Sequence, residues 1–256
     1  METPQTLALQ DLKQRAVDAA RQAGRLLAAR SADYDQISSQ DGRDVKMAAD
    51  LRSEALLAEL LAPSGIPVFS EEAGWVSGQD ESLRWVVDPL DGTANYSRGT
   101  PLCCVSIALM RNDKPLLGVV HDFSRDESFS GIVGIGAWLN DSPMAVNPVP
   151  EKRQAILATG FPIRRDFDAA SMTAFALEVS QWKKVRMLGS AALSLAYVAA
   201  GRFDAYWEER IMPWDVAAGW ALVEAAGGQT LAKITALDQP LDLFAAAPPL
   251  VQSWRA

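Results

Sequence analysis

Histidine and cysteine are nearly missing from this chain of 256 residues, which has one of the first, His121, and two of the second, Cys103 and Cys104. Adjacent thiols cannot staple distant segments or supply a Cys-rich zinc site, so they read as small apolar residues of a buried strand. A Ser-His-Asp or Cys-His mechanism would have to run through His121, and no G-x-S-x-G elbow accompanies it. His121 ends an apolar run at 116–120 and is expected as a strand-end residue lining a cleft. Runs of Lys or Arg are also absent, and 24 basic against 32 acidic residues leave a formal charge of −8. That balance argues against a nucleic-acid backbone or an anionic membrane as the partner. No apolar stretch approaches the roughly 20 residues of a membrane span, and the Met1-Glu2-Thr3-Pro4 start lacks signal-peptide character, so the cytoplasm is the expected compartment.

An apolar content of 49% with 22% charged residues suits one large folded domain or two small ones. Leu9, Leu12, Ala16, Ala19, Ala20, Ala23, Leu26 and Leu27 recur at three and four and predict an amphipathic helix over 6–29. A polar stretch at 30–44, with Ser31, Asp33, Ser38, Ser39, Asp41 and Gly42, has no periodicity and is expected as an irregular functional loop. A helix over 49–61 stops before Pro63 and Gly65. Short apolar runs at 67–69, 84–87, 105–110, 116–120 and 129–133 read as strands, divided by turn signals such as Asn112-Asp113 and Asn140-Asp141. The glycines of Gly131-Ile132-Val133-Gly134-Ile135-Gly136 lie between strands and read as hairpin glycines, not a dinucleotide loop. Beyond a Pro-rich segment at 147–150 strands at 155–158, 185–188 and 204–207 alternate with helices at 167–181, 190–200 and 214–226. The boundary divides one domain into subdomains of 1–147 and 148–256.

Chemistry concentrates in Asp88-Pro89-Leu90-Asp91-Gly92-Thr93, where a strand at 85–87 is expected to run into a turn. Pro89 disfavours helix at Asp88, and Gly92 permits a tight fold and close approach to a ligand. Two carboxylates about 4 Å apart repel by ~4 kcal/mol at an effective dielectric of about 20, so convergence here calls for a cation, a shared proton or wide separation. Three further acidic sites stand at element ends. Ser70-Glu71-Glu72 closes a strand, Asp215 follows Pro213-Trp214 at a helix start, and Asp50 opens another helix. Read singly, the last two are helix caps.

Together these fragments resemble the inositol monophosphatase family, through Trp85-Val86-Val87-Asp88-Pro89-Leu90-Asp91-Gly92-Thr93-Ala94-Asn95-Tyr96 and Trp214-Asp215-Val216-Ala217-Ala218-Gly219. The likeness runs from about Asp50 through the Gly189-Ser190-Ala191-Ala192 helix start to Glu224-Ala225-Ala226-Gly227-Gly228. It implies an α/β fold of alternating α-β-α-β-α layers and a magnesium-dependent phosphomonoesterase, a homodimer by analogy. By resemblance, Glu71, Asp88, the Leu90 carbonyl, Asp91 and Asp215 hold two or three Mg²⁺ ions, with Mn²⁺ as a substitute. Oxygen-only ligands independently suit these hard cations. Asp88 would bridge two ions about 3.5–4 Å apart. Gly92 and Thr93 would offer amides to phosphate, and the Thr93 hydroxyl with Asp50 would orient the attacking water and take its proton, with Glu71 completing the catalytic set.

Glu208, Asp91 and Ala191 fall where similar enzymes contact polyol hydroxyls, so an inositol or sugar phosphate is the implied substrate. Phosphatases of 3′-phosphoadenosine 5′-phosphate, fructose 1,6-bisphosphate and histidinol phosphate share the framework and stay open as alternatives. So do a non-catalytic metal- or phosphate-binding protein and a chain whose aspartates are only structural. Two positions depart from the family pattern: 45–49 lacks its common threonine, and Ser70 replaces a frequent glycine. Lys46 either reaches phosphate or points to solvent, and the 30–44 stretch matches the family's lysine-bearing lid poorly.

Overall fold

The apolar stripe near the N-terminus forms helix α1 (Pro4–Ala28), which buries Ala16, Ala19, Ala20, Ala23 and Leu27. The computed structural model describes residues 4–30, 37–41, 44–78, 82–161, 164 and 166–255. An antiparallel hairpin of β1 (Ile37–Asp41) and β2 (Asp44–Met47) comes next and leads directly into α2 (Ala48–Leu61). This hairpin corrects the expectation of an irregular 30–44 loop. Ser38, Ser39 and Gln40 give no apolar alternation to read, and within this stretch the Asp41-Gly42 dipeptide is the one hairpin signal. Ser31, Asp33 and Gly42 lie outside the described residues, as does the side chain of Lys46.

The middle of the chain supplies β3 (Val68–Ser70), β4 (Gly74–Ser77), β5 (Leu83–Asp91), the short helix α3 (Thr93–Ser97), β6 (Cys104–Arg111), β7 (Lys114–Asp122), β8 (Glu127–Ile132), β9 (Gly136–Leu139) and β10 (Ser142–Pro143). The strands make an eight-stranded sheet in the order β10-β9-β8-β7-β6-β5-β3-β4, antiparallel except where β3 lies parallel to β5. Asn112 and Asn140 take the left-handed conformation at the β6–β7 and β9–β10 turns, as their turn signals suggested. Beyond Pro150 come β11 (Ile156–Thr159), α4 (Ala169–Val179), β12 (Lys184–Arg186), α5 (Ala191–Ala199), β13 (Ala205–Ile211), α6 (Pro213–Ala225), β14 (Gln229–Leu231), β15 (Leu241–Ala246) and α7 (Pro248–Arg255). The second sheet has the order β12-β11-β13-β15-β14, parallel at β12-β11-β13 and antiparallel beyond.

Side-chain packing sets the layers. Helices α1 and α2 cover one face of the first sheet through Ala20, Leu27, Leu57, Trp85, Ile107 and Val119. Helices α5 and α6 fill the space between the sheets, where Leu195 and Trp220 meet Val86, Ala108 and Val120 on one side and Tyr206 and Leu243 on the other. The outer face of the second sheet is closed by α4 and α7, with Phe175, Trp182 and Leu250 against Leu157, Trp207 and Phe244. These are the alternating α-β-α-β-α layers that the resemblance implied. A helix sealed between two sheets is apolar all round, and every residue of α5 is buried. The middle layer is packed so closely that a Cβ on Gly219 would lie 2.3 Å from Leu195 Cβ. Among the described residues no helix is long and apolar enough to cross a membrane.

Candidate metal centre

Strand β5 does not leave the sheet at Asp88, as the Pro-Leu-Asp-Gly sequence suggested, but continues to Asp91 through a bulge. Asp88 pairs with Ser106 and Asp91 with Cys104, so Pro89 and Leu90 together stand opposite the single residue Val105. Two residues facing one define a β-bulge, a place where proline's missing N–H costs no ladder bond. Residues three apart in a regular strand point to opposite faces. The extra residue restores Asp88 and Asp91 to one face, toward α5 and α6, and sends the Leu90 side chain into the opposite core. Two bonds fix the bulge: Leu90 N–H donates to Asp88 Oδ1 at 3.0 Å, and the Ser53 hydroxyl donates to the Pro89 carbonyl at 2.8 Å.

Two more carboxylates are brought to this face by other elements. Glu71 follows β3, and its amide donates to the Val87 carbonyl at 3.1 Å, which places it beside Asp88. Asp215 is the third residue of α6 and accepts the Met212 amide at 3.3 Å behind the opening Pro213. One oxygen from each of Glu71, Asp88 and Asp215 lies within 4.8 Å of the other two. Asp91 stands outside that trio. Its Oδ2 accepts from the Ser190 hydroxyl at 2.6 Å and the Ala192 amide at 2.7 Å, so it caps the start of α5 from a hundred residues away.

Burial is the first cause that pushes all four carboxyl groups above their ordinary range. The charges of Asp215, Glu72 and Asp50 add to it at Glu71, and those of Glu71, Asp91 and Asp215 add to it at Asp88. Asp215 is raised further by Asp91, whereas at Asp91 the bonds from Ser190 and Ala192 oppose the rise. A set of like-charged oxygens, buried at Asp88 and half-buried at Glu71 and Asp215, with no nitrogen or sulfur ligand in the trio fits a hard divalent cation such as Mg²⁺ or Mn²⁺ and not zinc. The positive N-terminal ends of α2, α5 and α6 also meet here.

Asp50 sits in the first turn of α2, with Oδ2 accepting the Met47 amide at 2.6 Å and Oδ1 3.2 Å from the Thr93 hydroxyl. That hydroxyl also lies 3.0 Å from the Leu90 carbonyl, and its one hydrogen serves one acceptor at a time. Burial, with the charge of Glu72 adding, pushes Asp50 up to about 7. Between bulge and hydroxyl, Gly92 adopts φ 91°, and a Cβ there would lie 2.8 Å from the Leu102 carbonyl. Both its backbone angle and its surroundings demand glycine.

Ala191 is the first residue of α5, adjacent to the Ser190 that binds Asp91, and Glu208 lies in β13 near Asp215, whose carboxyl it helps to raise. A Cβ on Gly160 would be 2.5 Å from Glu208 Oε1, so that glycine makes room for the carboxylate. Asp50, Glu71, Asp88, Asp91, Glu208 and Asp215 are thereby linked by their mutual charge effects, whereas His121 lies elsewhere. Sequence reasoning passed over Ser190, Ser53 and Asn95. The Asn95 amide donates to the Leu102 and Leu188 carbonyls, both at 2.7 Å, and ties the 92–97 helix start to the turn before α5. Its signal was its place inside the first motif. Ser190 likewise stood in the Gly-Ser-Ala turn.

His121 does not line a cleft. It is buried against Gly24 of α1, with Nδ1 3.0 Å from the Ser128 hydroxyl, and burial lowers its affinity for a proton. A cavity of about 630 Å³ bordered by Phe69, Trp75, Arg84, Asn112 and Leu237 contains none of the carboxylates either. Cys103 and Cys104 are buried and free, and burial pushes the Cys103 thiol up to about 12 and that of Cys104 well above its usual value. Since the thiolate is the reactive form, a thiol-specific disulfide reagent at neutral pH should titrate neither in the native protein and both after unfolding. Prompt native labelling would show the β6 start to be open.

Comparison with known proteins gives this arrangement relatives. The sequence matches the inositol monophosphatase family over residues 8–245. It is 39% identical over 217 residues to an inositol-1-monophosphatase of Mesorhizobium japonicum, covering 83% of this chain and 82% of that protein. A protein of Haemophilus influenzae called Nus factor SuhB is 38% identical over 221 residues, again with 83% of this chain and 82% of the relative covered. The solved inositol monophosphatase from Anabaena (Nostoc) has a TM-score of 0.81 and 36% identity, over 95% of this chain and 96% of that one.

Proposed function

We propose, for a chain that belongs to the inositol monophosphatase family, hydrolysis of the phosphomonoester of a small polyol, an inositol or sugar phosphate. The observation that carries this reading is the convergence of Glu71, Asp88 and Asp215 beside a second pair, Asp50 and Thr93, at the head of a glycine-opened helix. Glu71, Asp88, the Leu90 carbonyl, Asp91 and Asp215 would hold two or three Mg²⁺ ions, with Mn²⁺ as a substitute. Bound there, such cations supply positive charge to the phosphate oxygens and acidify the attacking water.

The chain's own groups do the positioning. The amides of Gly92 and Thr93 face the phosphate as the opening of α3, in the manner of an anion-binding turn. The Thr93 hydroxyl orients water for in-line attack, and Asp50, already poised near neutral pH, accepts its proton. As the new P–O bond forms, the bond to the polyol oxygen breaks, the leaving alkoxide takes a proton from solvent water to depart as the alcohol, and Asp50 returns its proton to solvent. Glu208, Asp91 and the start of α5 at Ala191 form the wall that accepts hydrogen bonds from vicinal hydroxyls. The chain acts as one unit whose halves, 1–147 and 148–256, each contribute part of the site. A homodimer is the expectation by analogy with the family and the cytoplasm the expected compartment, with a phosphorylated metabolite and not nucleic acid or membrane as partner, in keeping with the charge of −8.

A phosphate-release panel in Mg²⁺ tests the assignment. Inositol 1-phosphate or a hexose phosphate should be turned over faster than 3′-phosphoadenosine 5′-phosphate, fructose 1,6-bisphosphate or histidinol phosphate, and chelation should stop all release. A panel with no turnover would favour a protein that binds metal or phosphate without catalysis.

A further inference from the structure

Ser106 carries a hydroxyl that is fully buried and has no hydrogen-bond partner. Its position in the sheet restricts what can ever serve as one. Strand β6 is paired on both sides, with Ser106 opposite Asp88 of β5 and opposite Val120 of β7. The backbone around it is committed to two ladders, so within the sheet the candidates for the hydroxyl proton are side chains on the same face. The same-face neighbours along β6 are Cys104 and Ala108. Of these four residues, Val120 and Ala108 have no acceptor, and the Cys104 sulfur is already near Asp91 and Ser190. Asp88 alone offers a carboxylate.

The reach is short. Residues directly opposite in an antiparallel pair have Cβ atoms about 4.5–5.5 Å apart, so a rotation about χ1 suffices to bring a serine hydroxyl to a facing aspartate. Asp88 has capacity to spare. Its Oδ1 accepts the Leu90 amide, and each carboxylate oxygen has two lone pairs, so Oδ2 can take a hydroxyl proton while still offering a lone pair to a cation.

We infer that Ser106 is a positioning residue of the metal centre: its hydroxyl closes onto Asp88 when that carboxylate carries a cation and holds it in the ligating orientation. Carboxylate ligands are commonly held by such an outer hydrogen bond, and loss of one weakens metal binding by about 10–100-fold. In the metal-free protein the same hydroxyl is a buried group without a partner, which costs stability. Ser106 thus trades stability of the empty protein for affinity of the loaded one.

The inference rests on the reading that Asp88 binds a cation, and Mn²⁺ titration of the whole metal-free protein separates the two. Binding is followed by calorimetry and by the fluorescence of Trp214, which precedes Asp215. For Ser106→Ala the dissociation constant for Mn²⁺ should rise about tenfold or more, while the melting temperature in chelator stays equal to wild type or increases. Ser106→Thr keeps the hydroxyl and should bind within about threefold of wild type, an outcome that a packing defect would not give. Unchanged Mn²⁺ affinity in Ser106→Ala, or equal weakening in the alanine and threonine variants, would overturn the role of Ser106 alone. Failure of the wild-type protein to bind Mn²⁺ at all would overturn the cation reading with it.

Discussion

Asp88→Asn should reduce Mg²⁺-dependent phosphate release by about 10³-fold or more while leaving a folded and more stable metal-free protein. The loss follows from its position. Asp88 is on the face made common by the β5 bulge, within ligand distance of Glu71 and Asp215, and the charge that a cation clamp supplies to a phosphoryl transition state is worth several kcal/mol. The gain in stability follows from the same surroundings. Burial and the charges of Glu71, Asp91 and Asp215 all disfavour an ionised Asp88, and asparagine removes that charge while its carbonyl oxygen still accepts the Leu90 amide. Thermal melts in chelator and in Mg²⁺ would show both halves: a higher melting temperature without metal, and little further rise with it. Retention of Mg²⁺-dependent turnover within about tenfold of wild type would mean that the bulge carboxylates are structural, as would full Mg²⁺ affinity in Asp88→Asn and Asp215→Asn.

The metal-free protein should lose stability as pH rises from 5 to 8, and Mg²⁺ should cancel much of the loss. Asp50, Glu71, Asp88, Asp91 and Asp215 all bind protons more tightly in the folded protein than a free carboxylate does. A raised acid contributes stability that is complete below its unfolded pKa and vanishes as pH climbs through its folded pKa. For Asp50 the window runs from 3.8 to about 7, and this residue alone withdraws roughly 3 kcal/mol between pH 5 and pH 8. In a chain of this size that corresponds to a fall in melting temperature on the order of 5–10 °C, and the other four carboxylates act in the same direction. A cation restores the ionised state as the favoured one, so the profile in Mg²⁺ should be flatter and the protons displaced on binding should appear in calorimetry as a dependence on buffer ionisation heat. A metal-free melting temperature that is level or rises over this range would contradict the assigned burial of the cluster.

How much of this was legible beforehand depends on whether the cause was local. The stripe from Leu9 to Leu27 announced α1 within a residue or two, because its periodicity is written in consecutive turns. The two acidic motifs, with Glu71 and Asp50, were readable because their residue types and spacing are distinctive. What could not be read was how Asp88 and Asp91 share a face, since that depends on Val105 standing alone opposite Pro89 and Leu90 in another strand. The capping of α5 by Asp91 is equally non-local, as is the packing that hides His121 beneath Gly24. The β1–β2 hairpin was missed because its first strand is a mostly polar run and its second is only four residues long, and β15 because the mixed run from Leu241 to Ala246 has no clean alternation. Ser106 left no trace in the sequence at all, for its meaning lies wholly in the residue it faces.

The most direct measurement is an anomalous difference map from crystals grown with Mn²⁺. The account predicts peaks enclosed by the ligand set of Glu71, Asp88, the Leu90 carbonyl, Asp91 and Asp215, at least one of them among Glu71, Asp88 and Asp215. A map without density between these carboxylates, from protein that still hydrolyses phosphomonoesters in Mn²⁺, would contradict it.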